Sequence, residues 1–385
     1  MVEIIKPPSM LCILGGGQLG RFFVISAQKM GYKVTVLDPD KNSPAGRIAD
    51  IHLCAGYNDT AALDSIKKTC VAVTTEFENI PATTLEYLEK ALIVRPSSKA
   101  VSVVQNRIHE KAFFKDNHFP VGPFVIISNI KSLALVENDI YPAILKIAQF
   151  GYDGKGQAHV NNQKELELAF NRFDRKPCVL EKKLILEAEL SVVLARTQNG
   201  EKVNFPVTEN QHISGILDIS IAPARVSSTM CMEVIHYSEL IASKLNYIGV
   251  MAIEFFISSE KIYVNEVAPR PHNSGHHSLD SCDFDQFDLQ VFALTGMKLN
   301  NPKLITNAVM VNLLGDIWFT NGKLNPPNFD IFDSSSEEVL HIYGKSEARL
   351  GRKMGHFTVT GNDNESILMR AKKIKSLLSK NESKE

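Results

Sequence analysis

The amino-acid sequence predicts an α/β fold over its first hundred residues and an α+β fold beyond them, divided among three domains. Three observations carry that expectation. The chain has 385 residues, 44% of them hydrophobic and 22% charged, which suits two or three cores better than one. Its start reads as strand, glycine turn, helix and second strand. After residue 100 that alternation stops, and strand-like runs follow one another with fewer helical stretches between them.

Met10 to Leu14 is an apolar run that ends in Gly15, Gly16 and Gly17. Leu19, Phe22, Phe23, Ala27 and Met30 then recur at helical spacing up to Gly31, and Lys33 to Leu37 follows as a buried strand closing at Asp38. A βαβ unit over 10–38 requires a parallel sheet, so residues 1–100 are expected to form a Rossmann-like domain. From about Val101 a helix with Arg107 and Lys111 leads past Pro120 and Pro123 to strands at Phe124–Ser128 and Ala143–Ile147. Further runs at Cys178–Leu180, Glu189–Arg196, Met251–Ile257 and Ile262–Val267 give a middle α+β domain over 101–304. A small β-rich domain over 305–385 follows from runs at Ala308–Leu314, Val339–Tyr343 and Phe357–Thr360. Its closing helix sets Ile367, Ala371, Ile374 and Leu378 on one face.

The balance of 42 basic against 43 acidic residues leaves a formal net charge of −1, so no global field favours nucleic acid or an anionic membrane. Any anion must be met locally. The six cysteines are scattered singly, without a Cys-x-x-Cys pair, and are expected to be reduced thiols. Met1 to Pro8 lacks the apolar run and cleavage site of a secretion signal, and no uncharged stretch approaches the roughly 18 apolar residues of a membrane span. A soluble, cytoplasmic protein is expected.

Gly15 to Gly20 fits Gly-x-Gly-x-x-Gly between a strand and a helix, and Asp38 lies 18 residues beyond Gly20. The pattern suits a dinucleotide, another anion held by N–H groups at the helix N-terminus, or close helix–strand packing alone. Gly151 to Gln157 holds three glycines and Lys155 in seven residues between two strands. With Gln157 where a Walker A loop needs lysine, it reads as a phosphate-covering flap or an ordinary hairpin. Lys146, inside the apolar strand Ala143–Ile147, calls for a charged partner.

Glu254 and Glu266 give the sharpest expectation. A hairpin turning near Ser259–Lys261, centred on Glu260, sets the two carboxylates opposite each other at roughly 5 Å, which is unfavourable without a cation between them. A divalent, oxygen-ligated ion such as Mg²⁺ resolves the conflict, with Asn265 adding a carbonyl oxygen. The alternative is a one-residue slip that turns one glutamate to solvent. Arg270 to His277 follows as a polar loop suited to holding substrate; its histidines lack the cysteine or HExxH spacing of a zinc site. Arg349, Arg352, Lys353 and His356 form a last basic group, which is equally readable as a solvated turn.

Six segments together carry a resemblance: GGGQLGR at 15–21, TEFENIP at 75–81, FGYDGKGQ at 150–157, NQHISGILD at 210–218, NEVAPRPHNSGH at 265–276 and GRKMGH at 351–356. In these the chain resembles the N5-carboxyaminoimidazole ribonucleotide synthases of the ATP-grasp superfamily. The resemblance implies an ATP-grasp fold with an N-terminal pre-ATP-grasp domain. It also implies a reaction in which ATP phosphorylates bicarbonate and the exocyclic amine of aminoimidazole ribonucleotide takes the carboxyl group. ATP would be bound by Arg107, Lys146, Gly151, Tyr152, Asp153, Gly154, Lys155, Gly156, Gln157, the hinge Glu181, Lys182, Lys183 and Leu184, then Glu189, His212, Asn265 and Glu266. Glu254 and Glu266 would hold Mg²⁺ or Mn²⁺. The ribonucleotide would lie among Gln18, Tyr152, Asp153, Arg270, His272, Arg352 and Lys353, with Asp153 and Lys353 in catalytic roles and the Gly15–Gly20 loop on its phosphate. A homodimer is implied as well.

Three other readings compete. A formate-dependent glycinamide ribonucleotide transformylase shares the superfamily, but Arg270–His276 with Arg352 and Lys353 argues against it. An NAD-dependent oxidoreductase explains Gly15–Gly20 and Asp38, yet leaves Glu254 and Glu266 without purpose. A non-catalytic nucleotide-binding regulator would bind ATP and show no bicarbonate-dependent turnover.

Overall fold

The structure, a computed structural model, describes residues 4–149, 151, 156–332 and 337–379. Near the N-terminus β1 (Met10–Leu14), α1 (Gln18–Lys29), β2 (Lys33–Leu37), β3 (Ile51–Leu53), α2 (Thr60–Thr69), β4 (Ala72–Thr75), α3 (Ala82–Glu89) and β5 (Ile93–Val94) build a parallel sheet in the order β3-β2-β1-β4-β5. Helices cover both faces, as a parallel sheet requires. The alternation along β1 shows it: Leu11 and Ile13 pack into one core with Phe22 and Phe23 of α1, while Cys12 and Leu14 pack into another with Leu63 and Ile66 of α2.

The expected helix beyond Val101 is in fact two, α4 (Ser98–Val104) and α5 (Arg107–Asp116). Asn106 separates them: its backbone is extended at φ −122°, and its side chain accepts the Ile108 N–H at 2.9 Å. That cap makes Arg107 the first residue of α5.

The middle of the chain holds two antiparallel sheets. β6 (Phe124–Ile127), α6 (Ile130–Leu133), β7 (Ala143–Ile147), β8 (Gln157–Val160), α7 (Gln163–Arg172) and β9 (Cys178–Lys182) form the smaller one, ordered β6-β9-β7-β8. The glycine segment 151–157 therefore joins two paired strands, with Lys146 opposite Gln157. The larger sheet begins with β10 (Ala188–Arg196), β11 (Lys202–Asn204), β12 (Thr208–Ile213) and β13 (Ile216–Ala222). After α8 (Ser228–Lys244) it adds β14 (Gly249–Ser258) and β15 (Lys261–Ala268). Beyond α9 (Ser278–Ser281) and α10 (Gln286–Thr295) come β16 (Asn307–Leu314), the small ribbon β17 (Phe319–Thr320) and β18 (Lys323–Leu324), β19 (Glu338–Ile342), β20 (Lys353–Gly361) and α11 (Asn364–Ser379).

The strand order β15-β14-β10-β12-β13-β16-β20-β19 carries the large sheet across residue 304, because β13 pairs with β16. α11 seals its far end through Ile367, Leu368, Ala371, Ile374 and Leu378. α10 ties the N-terminal unit to this sheet. All ten of its residues are buried, and its Ala293 and Leu294 carbonyls accept from Arg95 Nη1 at 2.7 and 2.9 Å.

Candidate active site

A cavity of about 1040 Å³ opens between the two antiparallel sheets and the edge of the N-terminal unit. Its walls carry Gln18, Arg107, Lys146, Gly151, Gln157, Glu181, Lys182, Lys183, Leu184, Glu189, His212, Glu254, Asn265, Glu266, Arg270, His272, Arg352 and Lys353. Of the expected site residues, Gly156, at φ +73°, does not line the cavity, and Tyr152, Asp153, Gly154 and Lys155 lie outside the described residues. Residues some 300 positions apart in sequence thus face one space.

Glu254 and Glu266 do pair across β14 and β15, by a different route from the one expected. The turn has two residues, Ser259 and Glu260, both at positive φ, and closes on the pair Ser258–Lys261. That register alone would offset the glutamates. An irregularity at Asn265 adds one residue to β15 and brings Glu266 opposite Glu254. The bulge also tucks the Asn265 side chain beneath the pair, where its Nδ2 donates to Glu254 Oε2 at 3.2 Å and its Oδ1 is buried without a partner. Burial, and then the facing Glu266, push the Glu254 carboxyl above its ordinary range. Burial acts in the same sense on Glu266, but Arg107 and Lys146 outweigh it and hold that group low. Two carboxylates and an unpartnered amide oxygen suit a hard divalent cation.

Cations surround this acidic pair. Arg107 Nη1 donates to Glu266 Oε2 at 2.7 Å. Lys146 finds its charged partner in Glu181, 3.1 Å away, and Lys111, a lysine to which sequence reasoning gave no role, stands 3.5 Å from the same oxygen. Burial would raise the Glu181 carboxyl, yet Lys111, Lys146 and Arg107 bring it down to about 2. The cluster is held together by opposite charges in a poorly solvated place, and its three cations face a cleft that can receive a polyanion. Next along the chain, Lys182 turns its ammonium away to the Asp139 carbonyl at 2.7 Å, leaving the hinge backbone and Leu184 toward the cavity.

On the opposite wall His212 Nδ1 lies 2.8 Å from Glu189 Oε2. Burial acts to lower this imidazole, but Glu189 and Glu254 hold it above its ordinary value. His272 behaves in the other sense: burial, with Arg270 and Lys353 nearby, keeps it neutral. The Ser274 N–H donates to His272 Nδ1, so the ring proton sits on Nε2, 3.4 Å from Glu254 Oε1. Arg270 is anchored by Glu78, whose Oε2 accepts from Nε at 2.6 Å. Glu78 lies inside the quoted 75–81 segment, but no spacing rule ties it to a residue 192 positions away. Arg352 and Lys353 arrive on a turn pinned to the residues just after β16, where Gly315 N–H donates to the Arg352 carbonyl at 2.7 Å and Asp316 accepts from Gly351 N–H at 2.7 Å.

The Gly15–Gly20 loop corrects the expectation of an open anion site. Gly17 and Gly20 donate to the two oxygens of Glu76 at 2.7 and 2.5 Å, and Gly16 donates to Asp38 Oδ2 at 2.7 Å. The protein's own carboxylates thus take the place of a ligand phosphate on these three N–H groups. The glycines serve that approach, since a Cβ at Gly17 would lie 2.1 Å from Glu76 Oε1. Asp38 also receives Tyr57 OH and Asp40 N–H, which accounts for it without a ribose.

His356 leaves the basic group expected near the C-terminus. It is buried in β20, its Nδ1 bonded to Tyr343 OH at 2.9 Å. Together with Asp280 and His341 it offers metal-type ligand atoms within 4.8 Å of one another. The His341 and His356 rings, however, stack at 4.6 Å with an 18° angle between planes. Their in-plane lone pairs run side by side instead of converging, and His341 bonds Asp280 directly at 2.9 Å. The cluster reads as a packed aromatic stack with one His341–Asp280 hydrogen bond.

Three family models match the chain in order: a ribonucleotide synthetase preATP-grasp domain over residues 9–105, an ATP-grasp domain over 112–287 and a phosphoribosylaminoimidazole carboxylase C-terminal domain over 308–370. The two antiparallel sheets enclosing a cleft are accordingly those of an ATP-grasp protein. A Staphylococcus aureus (strain COL) protein, N5-carboxyaminoimidazole ribonucleotide synthase, is 41% identical over 355 residues, covering 91% of this chain and 92% of its own. The solved structure of S. aureus N5-carboxyaminoimidazole synthetase complexed with ADP superposes with a TM-score of 0.89 at 38% identity, covering 98% of each chain. An Aspergillus clavatus N5-carboxyaminoimidazole synthase in complex with ADP and 5-aminoimidazole ribonucleotide gives 0.88 at 27% identity, covering 97% of this chain and 99% of that one. The chain belongs to the N5-carboxyaminoimidazole ribonucleotide synthase family.

Proposed function

We propose that this chain is an ATP-dependent carbon–nitrogen ligase that carboxylates the exocyclic amine of 5-aminoimidazole ribonucleotide in de novo purine biosynthesis. The products are N5-carboxyaminoimidazole ribonucleotide, ADP and phosphate. The observation that carries this reading is the juxtaposition, in one cleft, of the Glu254–Glu266 pair and its ring of cations with Arg270, His272, Arg352 and Lys353.

ATP transfers its γ-phosphoryl group to a bicarbonate oxygen, giving carboxyphosphate and ADP. The ribonucleotide amine then attacks the carboxyl carbon, phosphate leaves, and the amine loses a proton. Little of this needs covalent help from the protein; positioning and charge neutralisation do most of it. Arg107 and Lys146 meet the phosphates, the hinge 181–184 meets the adenine, and Glu189 with His212 meets the ribose. Mg²⁺ held by Glu254 and Glu266, with Asn265 Oδ1 beside them, would neutralise phosphoryl charge. Gln18, Arg270, His272 and Arg352 hold the ribonucleotide, and Lys353 stabilises charge developing on the carboxylate or phosphate. Asp153 and Tyr152 take their roles, amine-proton acceptor and substrate contact, from the family resemblance. We assign the homodimer on the same ground, and the division at 100/101 and 304/305 and the cytoplasmic location on the sequence pattern. No helix among the described residues is long and apolar enough to cross a membrane.

The test is ADP release by purified protein with ATP, Mg²⁺ and bicarbonate, with and without the ribonucleotide. Strong stimulation by the ribonucleotide is expected. Stimulation by formate and glycinamide ribonucleotide instead would move the chain to the transformylase reading.

A further inference from the structure

Helix α5 grips the metal-bearing strand with three side chains on one face. Arg107, Glu110 and Lys111 stand at i, i+3 and i+4, the spacing that aligns residues along one side of a helix. They meet three consecutive residues of β15. Lys111 Nζ donates to the Asn265 carbonyl at 2.9 Å, Arg107 Nη1 donates to the Glu266 carboxylate at 2.7 Å, and Glu110 Oε1 accepts the Val267 N–H at 2.8 Å. Glu110 and Lys111 are each only 2% exposed, an unusual place for two ionisable residues with no contact of their own to the metal pair.

β15 is the edge of the nine-stranded sheet, so the groups on its outer side have no neighbouring strand to bond. The Asn265 carbonyl and Val267 N–H flank Glu266 on that free edge, at the irregularity where the strand gains its extra residue. An edge strand with a bulge is prone to slip, and a one-residue slip would turn Glu266 out of the cavity. Lys111 reaches further, to Glu181 at the start of the adenine hinge, 3.5 Å away. The same ammonium therefore touches the strand of the metal carboxylate and the carboxylate of the hinge.

We propose that Glu110 and Lys111 are positioning residues that lock the register of β15 and so hold Glu266 at the metal and phosphate site. The proposal rests on the reading of Glu266 as a metal ligand for MgATP.

The experiment compares Lys111→Met and Glu110→Ala with the conservative Lys111→Arg and Glu110→Gln. For each it measures KM for ATP, the Mg²⁺ concentration giving half-maximal ADP release, KM for the ribonucleotide, kcat and Tm. Removing a residue that orients a metal ligand costs about 10- to 100-fold in metal affinity. Lys111→Met and Glu110→Ala are expected to raise KM for ATP and the Mg²⁺ requirement by about tenfold, to leave the ribonucleotide KM within about twofold, and to be largely restored by Lys111→Arg and Glu110→Gln. Folded Lys111→Met and Glu110→Ala proteins with unchanged ATP and Mg²⁺ dependence, even with lower Tm or kcat, would overturn the proposal. Should Lys111→Met fail to fold, Glu110→Ala is read by the same criteria. Should both fail, Glu110→Asp, whose shorter side chain draws the carboxylate back from the Val267 N–H, is read by the same criteria. Wild-type protein without ribonucleotide-stimulated turnover would fail the functional reading instead, and separates the two.

Discussion

The Gly15–Gly20 loop and the Glu254–Glu266 hairpin are both signals of anion or cation binding in the sequence, and they end in opposite states. In the loop, backbone donors that suit a phosphate are met inside the protein by Glu76 and Asp38. In the hairpin, acceptors that suit a metal remain only partly met: Arg107 bonds one oxygen of Glu266, and Asn265 Oδ1 has no partner. A motif states what a backbone can bind. Whether a distant residue has already taken that place is decided by the tertiary fold.

The largest expected effect separates the two regions by activity. Glu266→Gln keeps size and an acceptor for Arg107 but removes the charge that pairs with a divalent ion. Ribonucleotide-stimulated ADP release should fall by about 10²-fold or more, with Tm close to wild type. Retained turnover at ordinary Mg²⁺ would place the metal elsewhere and dissolve the contrast.

Much of the fold was legible because its signals are local. The βαβ unit over 10–38, the strands at 143–147 and 189–196 and the closing helix each follow from periodicity within a dozen residues. β12 was not legible. Its sequence Thr208–Ile213 is mostly polar for several separate reasons: Asn210 is buried in hydrogen bonds to Ser191 and Ser220, Glu209 pairs with Arg225, and His212 lines the cleft facing Glu189. The continuity of the large sheet across residue 304 rests on β13 and β16, whose pair Ala222–Ala308 lies 86 positions apart, and no local pattern encodes such a pairing. In the site, Glu254 opposite Glu266 was predicted through a symmetric turn, whereas a two-residue turn and a bulge at Asn265 produce it together. The anchoring of Arg270 by Glu78 and of β15 by Lys111 joins residues whose partners only the fold supplies.

An intermediate effect is expected in the glycine loop, and on stability. Gly20→Ala would set a Cβ 2.6 Å from the Gly15 carbonyl and 2.8 Å from Glu76 Oε2. The carbonyl belongs to the turn itself and cannot swing aside, so the substitution should cost about 1–3 kcal/mol in thermal or urea unfolding. The equivalent measurement on Glu266→Gln should show much less. An unchanged Tm for Gly20→Ala would mean that the helix start can relax away from Glu76, and the loop would then be free to take a ligand phosphate.

The smallest effect is a pH dependence that belongs to the loop alone. Burial pushes the Glu76 carboxyl up from its ordinary 4.5 to about 7, Asp38 adds to the rise, and the Gly20 and Gly17 N–H bonds and Lys345 act against it. Between those two values the folded protein keeps a proton that the unfolded chain has released. Stability from this group is therefore fully present below about pH 4.5 and declines as pH rises toward 7. Glu76→Gln cannot titrate, so its Tm should lose less than the wild-type Tm over that interval, and the two curves should run parallel above it. Because the amide still offers one oxygen to Gly17 or Gly20, the variant should fold. Curves parallel throughout would mean that Glu76 is ionised across the whole range, and the helix N-terminus would then be holding a full negative charge of the protein's own where the glycine pattern had suggested a phosphate.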